Sequence, residues 1–420
     1  MAQTCELTWE SAPAAAAAAC AVCGGAGLEP FLDLGETPLA NAFPASRTGP
    51  PQPCYPLRAA RCVDCGHAQL LDRVPPEAMF SHYLYVSSAS STLTAHLDGL
   101  AGEVTARAGL GGGGLVVDAG SNDGTLLAAF ARRGARTVGV DPAANLAAIA
   151  GARGIPTEVS CFDTGAAARV LAAHGPARAI TATNSFPHVQ DLDEYMRAVD
   201  LLLAPDGVFV LEAHYLLDML EQTAFDTIYH EHVSYWALGP MKRLLERHGF
   251  AIADVERLPV HHGQLRVWVA RRGVARPAAA VERAEAAERA AGLGTARPFR
   301  EFAERARRLR WNILALLEGL RGARVAAYGA PAKGMTLLSF LGLGPETIAY
   351  IADRSPLKQG RFTPGSAIPI VPPAHLLADR PDYTLLLAWN FAEEILAELR
   401  PYTDAGGRVV VPVPEVRILP

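Results

Sequence analysis

The 420-residue chain is half hydrophobic and carries a formal net charge of −5. That length is too great for one ordinary domain and argues for roughly two to four. Mild acidity gives no footing for nucleic acid or an anionic membrane surface. The longest apolar run, LLLAPDGVFVLEAHYLLDML, is broken by Pro205-Asp206-Gly207 and holds Glu212 and His214, so no membrane span is predicted.

Residues 1–17 are Ala-rich, carry Glu6 and Glu10 and lack a basic start. They predict a flexible tail rather than a signal peptide, and a cytoplasmic protein. Among seven cysteines, Cys20 and Cys23 (CAVCG) and Cys62 and Cys65 (CVDCG) form two knuckles. Four thiolates so placed make a closed tetrahedral zinc site with no open position for water, hence a structural one. Cys54 is the alternative ligand, and Cys5 and Cys161 are ordinary residues. Chelation is expected to lower stability and leave the chemistry of whatever stays folded unaltered. This zinc-binding domain spans 18–75, closed by the VPP at 74–76.

A domain at 76–275 follows. Ser and Thr residues start an amphipathic helix that ends in glycines. The strand at Leu115–Val117 then ends at Asp118, turns through Gly120 and Gly124, and enters a helix. The next strand, TVGVD, ends at Asp141. This is half of a doubly wound α/β fold, whose ligands bind at the carboxyl ends of its strands. The middle of the turn is Asn122 where a dinucleotide fingerprint needs glycine, so the loop suits S-adenosylmethionine. Its expected ligands are Asp118, Gly120, Asn122, Asp123, Gly124, Asp141 and Asn184. Asn184, His188 and Glu212 fall at or just past strand ends, and LRVWVA closes the domain.

The last region, 276–420, begins with a helix whose apolar positions, from Phe299 through Ile313 to Leu320, recur at steps of three and four. Packing on its own chain is the plain reading, with a dimer seam as the alternative; a monomer is expected. A second Rossmann-like unit follows: RVAAYGAPAKGM as strand, glycine loop and helix, a second strand ending at Asp353, a basic loop with Lys358 and Arg361, and a third strand ending at Asn390. Helix-start amides beside Lys333 make a natural phosphate site.

The stretch DTIYHEHVSYW concentrates Tyr229, His230, Glu231 and His232. Histidine suits removal of a C–H proton beside a carbonyl, hydroxyl and imidazole donors suit the resulting enolate, and Glu231 can orient an imidazole. Positions 230 and 232 share a face on an extended strand, so spacing leaves open which is the base. A rival reading takes His-x-His as a metal site completed by His188, His261 or His262.

The order of parts, with CAVCGG, PLANAF, YLYVSSASS, DAGSNDGTLL, FDTIYHEHVSYW, HHGQLRVWV, GAPAKGMTLL, DRSPLKQGRFTPGSAIPI and AWN, resembles the S-adenosylmethionine-dependent C-methyltransferases of nucleotide-linked 4-keto sugars in antibiotic pathways. The resemblance implies His232 as general base with Glu231 beside it, Tyr83 and Tyr229 holding substrate, and His188 and Asn184 where cofactor meets sugar. It also implies a C-terminal domain binding a TDP-linked 4-keto-deoxysugar, methylated at C3, with contacts expected from Lys333, Tyr328, Asp353, Lys358, Arg361 and Asn390. HHGQLR, EAHYL and NSFPHV depart from the family's patterns on the substrate side. An O- or N-methyltransferase and a non-catalytic zinc or nucleotide-binding module are the alternatives.

Overall fold

The computed structural model describes residues 15–16, 19–80, 83–260 and 263–420. Most of the 1–17 tail, Cys5, and the His261 and His262 of the rival metal set lie outside them. Among the described residues no helix is long and apolar enough to cross a membrane.

The central sheet has seven strands in the spatial order Phe250–Leu258, Gln264–Arg271, Leu203–His214, Ala177–Thr183, Leu115–Ala119, Arg136–Val140 and Thr157–Glu158. Only Gln264–Arg271 runs against its neighbours. Strand Leu115–Ala119 is buried along its whole length, as a parallel strand covered on both faces must be. The helix Ser91–Ala108 packs on this sheet. The Ser90 hydroxyl accepts from Leu93 N at its start, and Gly109 at φ +62° ends it, a conformation glycine adopts at little cost.

The C-terminal sheet orders its strands Ile370–Val371, Ile351–Ala352, Val325–Tyr328, Tyr383–Leu386, Arg408–Val411 and Arg417–Leu419, all parallel but the last. The strand expected to reach Asn390 stops at Leu386. The amides of Leu387 and Ala388 both turn back to the Tyr328 carbonyl, and Asn390 sits in a 3-10 turn, Trp389–Phe391.

The zinc-binding domain is an antiparallel sheet of Leu28–Pro38, Cys54–Cys62 and Ala68–Leu70. Its fourth strand, Ser234–Tyr235, comes from the histidine-rich stretch of the central domain. The long helix Arg297–Gly319 buries Phe299, Phe302, Ala306, Leu309 and Ile313. Phe31 of the zinc-domain sheet meets the rings of Phe299 and Phe302 at 5.0 and 6.2 Å. These apolar positions are therefore packed inside the chain, each ring contributing about 1.5–3 kcal/mol by burial.

Candidate active site

One cavity of about 470 Å³ runs between the three folded parts. At the central-domain end it is lined by Asp118, Gly120, Asn122, Asp141, Asp163 and Asn184; Tyr83, His188, His214, Tyr229 and His232 line the middle. Lys333, Lys358 and Asn390 line the far end, and Asn41 reaches in from the zinc-binding domain.

The acidic end grows out of the first strand-to-helix turn. Gly120 stands at φ +85° with Ser185 where a Cβ would go. The Asp141 carboxylate accepts the amides of Asn122 (2.8 Å) and Ala143 (2.9 Å), so it braces the loop as well as facing the cavity. Asp118 accepts from the Thr181 hydroxyl at 2.7 Å, and burial pushes its carboxyl up to about 7. Asp123 and Gly124 do not line the cavity. Asp123 is turned inward to Arg153, Thr125 and the amide of Ser88, while Gly124 packs on Ala150 and Ile155.

Asn122 faces the cavity but spends its amide elsewhere. Its Oδ1 accepts from Ser87 N (2.9 Å) and its Nδ2 donates to the Tyr85 carbonyl (3.1 Å). Asn145 likewise brackets the backbone of Tyr83, at 3.2 and 2.8 Å. Two asparagines thus strap the segment 83–88 across the glycine loop, carrying Tyr83 and Tyr85 to the cavity.

In the middle, His232 is almost wholly buried. Its Nδ1 lies 2.8 Å from the Thr227 carbonyl, which can only accept, so Nδ1 carries the proton and Nε2 the lone pair. The Tyr229 hydroxyl lies 2.7 Å from that Nε2 and points its proton there. The rings of His188 and His214 flank the imidazole at 5.1 and 4.9 Å. His188 stacks on Phe80 at 5.4 Å, and burial lowers its imidazole to about 4. His230 points the other way, its Nε2 at 3.3 and 3.2 Å from the carbonyls of Tyr55 and Pro56, and does not line the cavity.

Glu231 does not orient an imidazole. Its oxygens accept from Tyr83 Oη (2.7 Å) and Asn41 Nδ2 (2.8 Å). The extended strand expected at 230–232 is instead a turn, closed by the His232 amide on the Tyr229 carbonyl at 2.9 Å, which sends the side chains of 230, 231 and 232 to different partners. Burial raises its carboxyl to about 7 against the pull of those two donors. Glu212, at its strand end, is also withdrawn from the cavity. His96 and Arg266 each meet it at 2.7 Å.

At the far end, Lys333 lies in the first turn of helix Ala332–Leu341, nine-tenths buried, and its Nζ has no hydrogen-bond partner among the described residues. Lys358 donates to the Ala330 carbonyl at 2.7 Å. Burial lowers both ammonium groups. Three expected contacts lie off the cavity. Tyr328 bonds Glu398 (3.2 Å), Asp353 accepts the amides of Ala330 and Ser355, and Arg361 holds the carbonyls of Leu357 and Phe43. Sequence reasoning missed His214 and Asn41 as lining residues. The strand-end position of EAHYL was the available signal for His214. Asn41, in PLANAF, sits at no strand end or glycine turn that would have marked it.

The four thiols Cys20, Cys23, Cys62 and Cys65 have their sulfurs within 4.8 Å of one another, with pairs at 3.6 and 3.5 Å. Zinc–sulfur bonds of about 2.3 Å imply tetrahedral edges of about 3.8 Å, so the set fits one closed ion. Cys54 is not in the set. This site is less remote from the chemistry than its closure suggested, since its sheet pairs with Ser234–Tyr235 and supplies Asn41.

Three family models match: a zinc binding domain of methyltransferases over residues 20–80, a methyltransferase domain over 93–255, and a C-methyltransferase C-terminal domain over 259–414. The chain is 40% identical over 406 residues to the C-methyltransferase NovU of Streptomyces niveus, covering 95% of this chain and 96% of that one. Among solved structures it is similar to a Mesorhizobium loti S-adenosylmethionine-dependent methyltransferase (20% identity, 42% of this chain, 100% of that one, TM-score 0.34). It is also similar to the magnesium protoporphyrin IX methyltransferase of Synechocystis (15%, 42% and 79%, TM-score 0.32). These two distant likenesses carry no further argument.

Proposed function

The chain belongs to the S-adenosylmethionine-dependent, zinc-containing C-methyltransferases, and from that premise we propose that it methylates the carbon beside the ketone, C3, of a TDP-linked 4-keto-deoxysugar. The observation that carries this reading is the polarity of the cavity: carboxylates at one end, imidazoles and phenols in the middle, buried lysines at the other. A cationic cofactor fits the first end and a diphosphate the last, and the distance between them is bridged by acid–base groups.

Asp141 and Asp118 offer acceptors for the hydroxyls and ammonium of S-adenosylmethionine, which supplies an electrophilic methyl when bound. Lys333 and Lys358, with the helix-start amides, take the diphosphate. At the ketone, His232 Nε2 removes the neighbouring proton once the Tyr229 O–H turns from that nitrogen to the carbonyl oxygen. The same phenol then stabilises the enolate, and Thr227 holds the imidazolium through Nδ1–H. Tyr83, backed by Glu231, is the second hydroxyl at this point.

The test is solvent exchange in D2O with S-adenosylhomocysteine and a TDP-4-keto-6-deoxy or 2,6-dideoxy sugar. Deuterium should enter beside the ketone, and His232→Ala should slow this by roughly 10²–10⁴-fold, the usual worth of a positioned base. No exchange in the wild type with both ligands bound would point to oxygen or nitrogen as the methyl acceptor.

A further inference from the structure

Asp226 is fully buried where the C-terminal domain meets the segment carrying His232, and the enolisation chemistry gives it nothing to do. Its Oδ2 accepts the indole N–H of Trp389 at 2.6 Å, while its Oδ1 leans toward the amides of its own turn without a well-formed bond. The ammonium of Lys333, 5.7 Å from the centre of the Trp389 ring, has no hydrogen-bond partner among the described residues either. Each is the main opposite charge acting on the other, yet they form no direct ion pair. Two incompletely satisfied ionic groups buried at one seam are costly, and a seam that keeps them has a use for them.

The very next residue, Thr227, supplies that use. Asp226 lies in the short 3-10 turn Phe225–Thr227, and the carbonyl of Thr227 is the acceptor that fixes Nδ1–H of His232. The turn is held against the C-terminal domain at two points, the Asp226 carboxylate on Trp389 and the Phe225 ring 5.0 Å from that of Phe340. The position of the base's anchor is therefore set from the domain that holds Lys333.

We propose that Asp226 is a positioning residue for His232, keyed to the anion site: it fixes the Thr227 carbonyl through Trp389 and shares its charge with Lys333, so that an anion engaging Lys333 is felt at the base. The proposal rests on the reading of Lys333 as the diphosphate contact. An anion that draws the ammonium toward itself changes the field on Asp226, and the rigid turn passes this to the hydrogen bond on Nδ1.

Inorganic pyrophosphate is the probe, titrated into the full-length zinc-loaded protein with S-adenosylhomocysteine. Its affinity is read by calorimetry and the His232 Nδ1–H by proton NMR. In the wild type the resonance should move on binding. In Asp226→Asn, which keeps an oxygen for Trp389, pyrophosphate should still bind within about threefold. The resonance should no longer respond, and kcat should fall by about tenfold or more with KM little changed. If that variant does not fold, Trp389→Phe, which keeps the ring and removes the donor, should lose the response in the same way. Pyrophosphate binding with no movement of the wild-type resonance, or an unchanged kcat in Asp226→Asn, overturns this proposal alone. No pyrophosphate binding to the wild type overturns the anion reading and this proposal with it.

Discussion

Gly120 and Gly329 stand at the same place in the two large sheets, each just past the first strand, at φ of +85° and +83°. In both, the acid after the second strand folds back on the glycine loop. Asp141 accepts the amides of Asn122 and Ala143, and Asp353 those of Ala330 and Ser355. Only Asp141 also faces the cavity. An acid at the end of the second strand is thus first a brace for a turn whose amides must be satisfied. Ligand contact is an addition that the pattern alone does not announce.

Removing each acid in turn is the most severe test of this contrast. Asp141→Ala should weaken S-adenosylmethionine by about a hundredfold or more, two charge-assisted bonds' worth. Asp353→Ala should leave that affinity within about threefold while costing roughly 1–3 kcal/mol of stability. Equal loss of cofactor affinity in the two variants, by calorimetry, would end the distinction. A middle-sized effect separates the ends by charge. Lys333→Met should raise KM for the nucleotide-sugar by about tenfold, the worth of one charged hydrogen bond, and leave cofactor affinity unchanged. An unchanged KM would mean the lysine serves only the seam.

The smallest effect concerns Asp118, whose counterpart on the second sheet is Ala327. Burial holds Asp118 at about 7 against an ordinary 3.8. The folded state therefore binds more protons than the unfolded chain between these values, and stability falls as pH rises through that window. Glu231, at about 7, and Asp226, at about 6, act in the same direction. Asp118→Asn should shrink the drop in urea midpoint between pH 5 and pH 8 without abolishing it; an unchanged drop would assign the slope to the other raised carboxyls, Asp141 and Glu288 among them.

Much of this molecule was legible because it depends on local rules. The cysteine knuckles, the two glycine turns and the three-four spacing of the long helix are each fixed by residues close in sequence. The site was legible where side chains sit at strand ends, as with Asp141 and Asn184. It was not legible where a residue's partner is distant in the chain. Asn122 reads as a cofactor contact, yet its amide is spent on residues 85–87. Arg361 reads as a phosphate ligand and instead ties down Phe43, more than three hundred residues away. Glu231 beside His232 reads as its orienter, but the chain makes a turn at 229–232 and hands Glu231 to Tyr83 and Asn41, both far off in sequence.

The fourth strand of the zinc-domain sheet, Ser234–Tyr235, is also the end of the stretch that carries His232. On the ribosome both knuckles therefore emerge long before the strand that completes their sheet, leaving Ala68–Leu70 as an open edge, the kind that invites wrong partners. Closing that edge is a long-range pairing, slow by nature, and it sets the segment that carries His232 against the zinc-domain sheet in the same event. Completion of the zinc-domain sheet and placement of the His232 segment are one step in the life of the nascent chain.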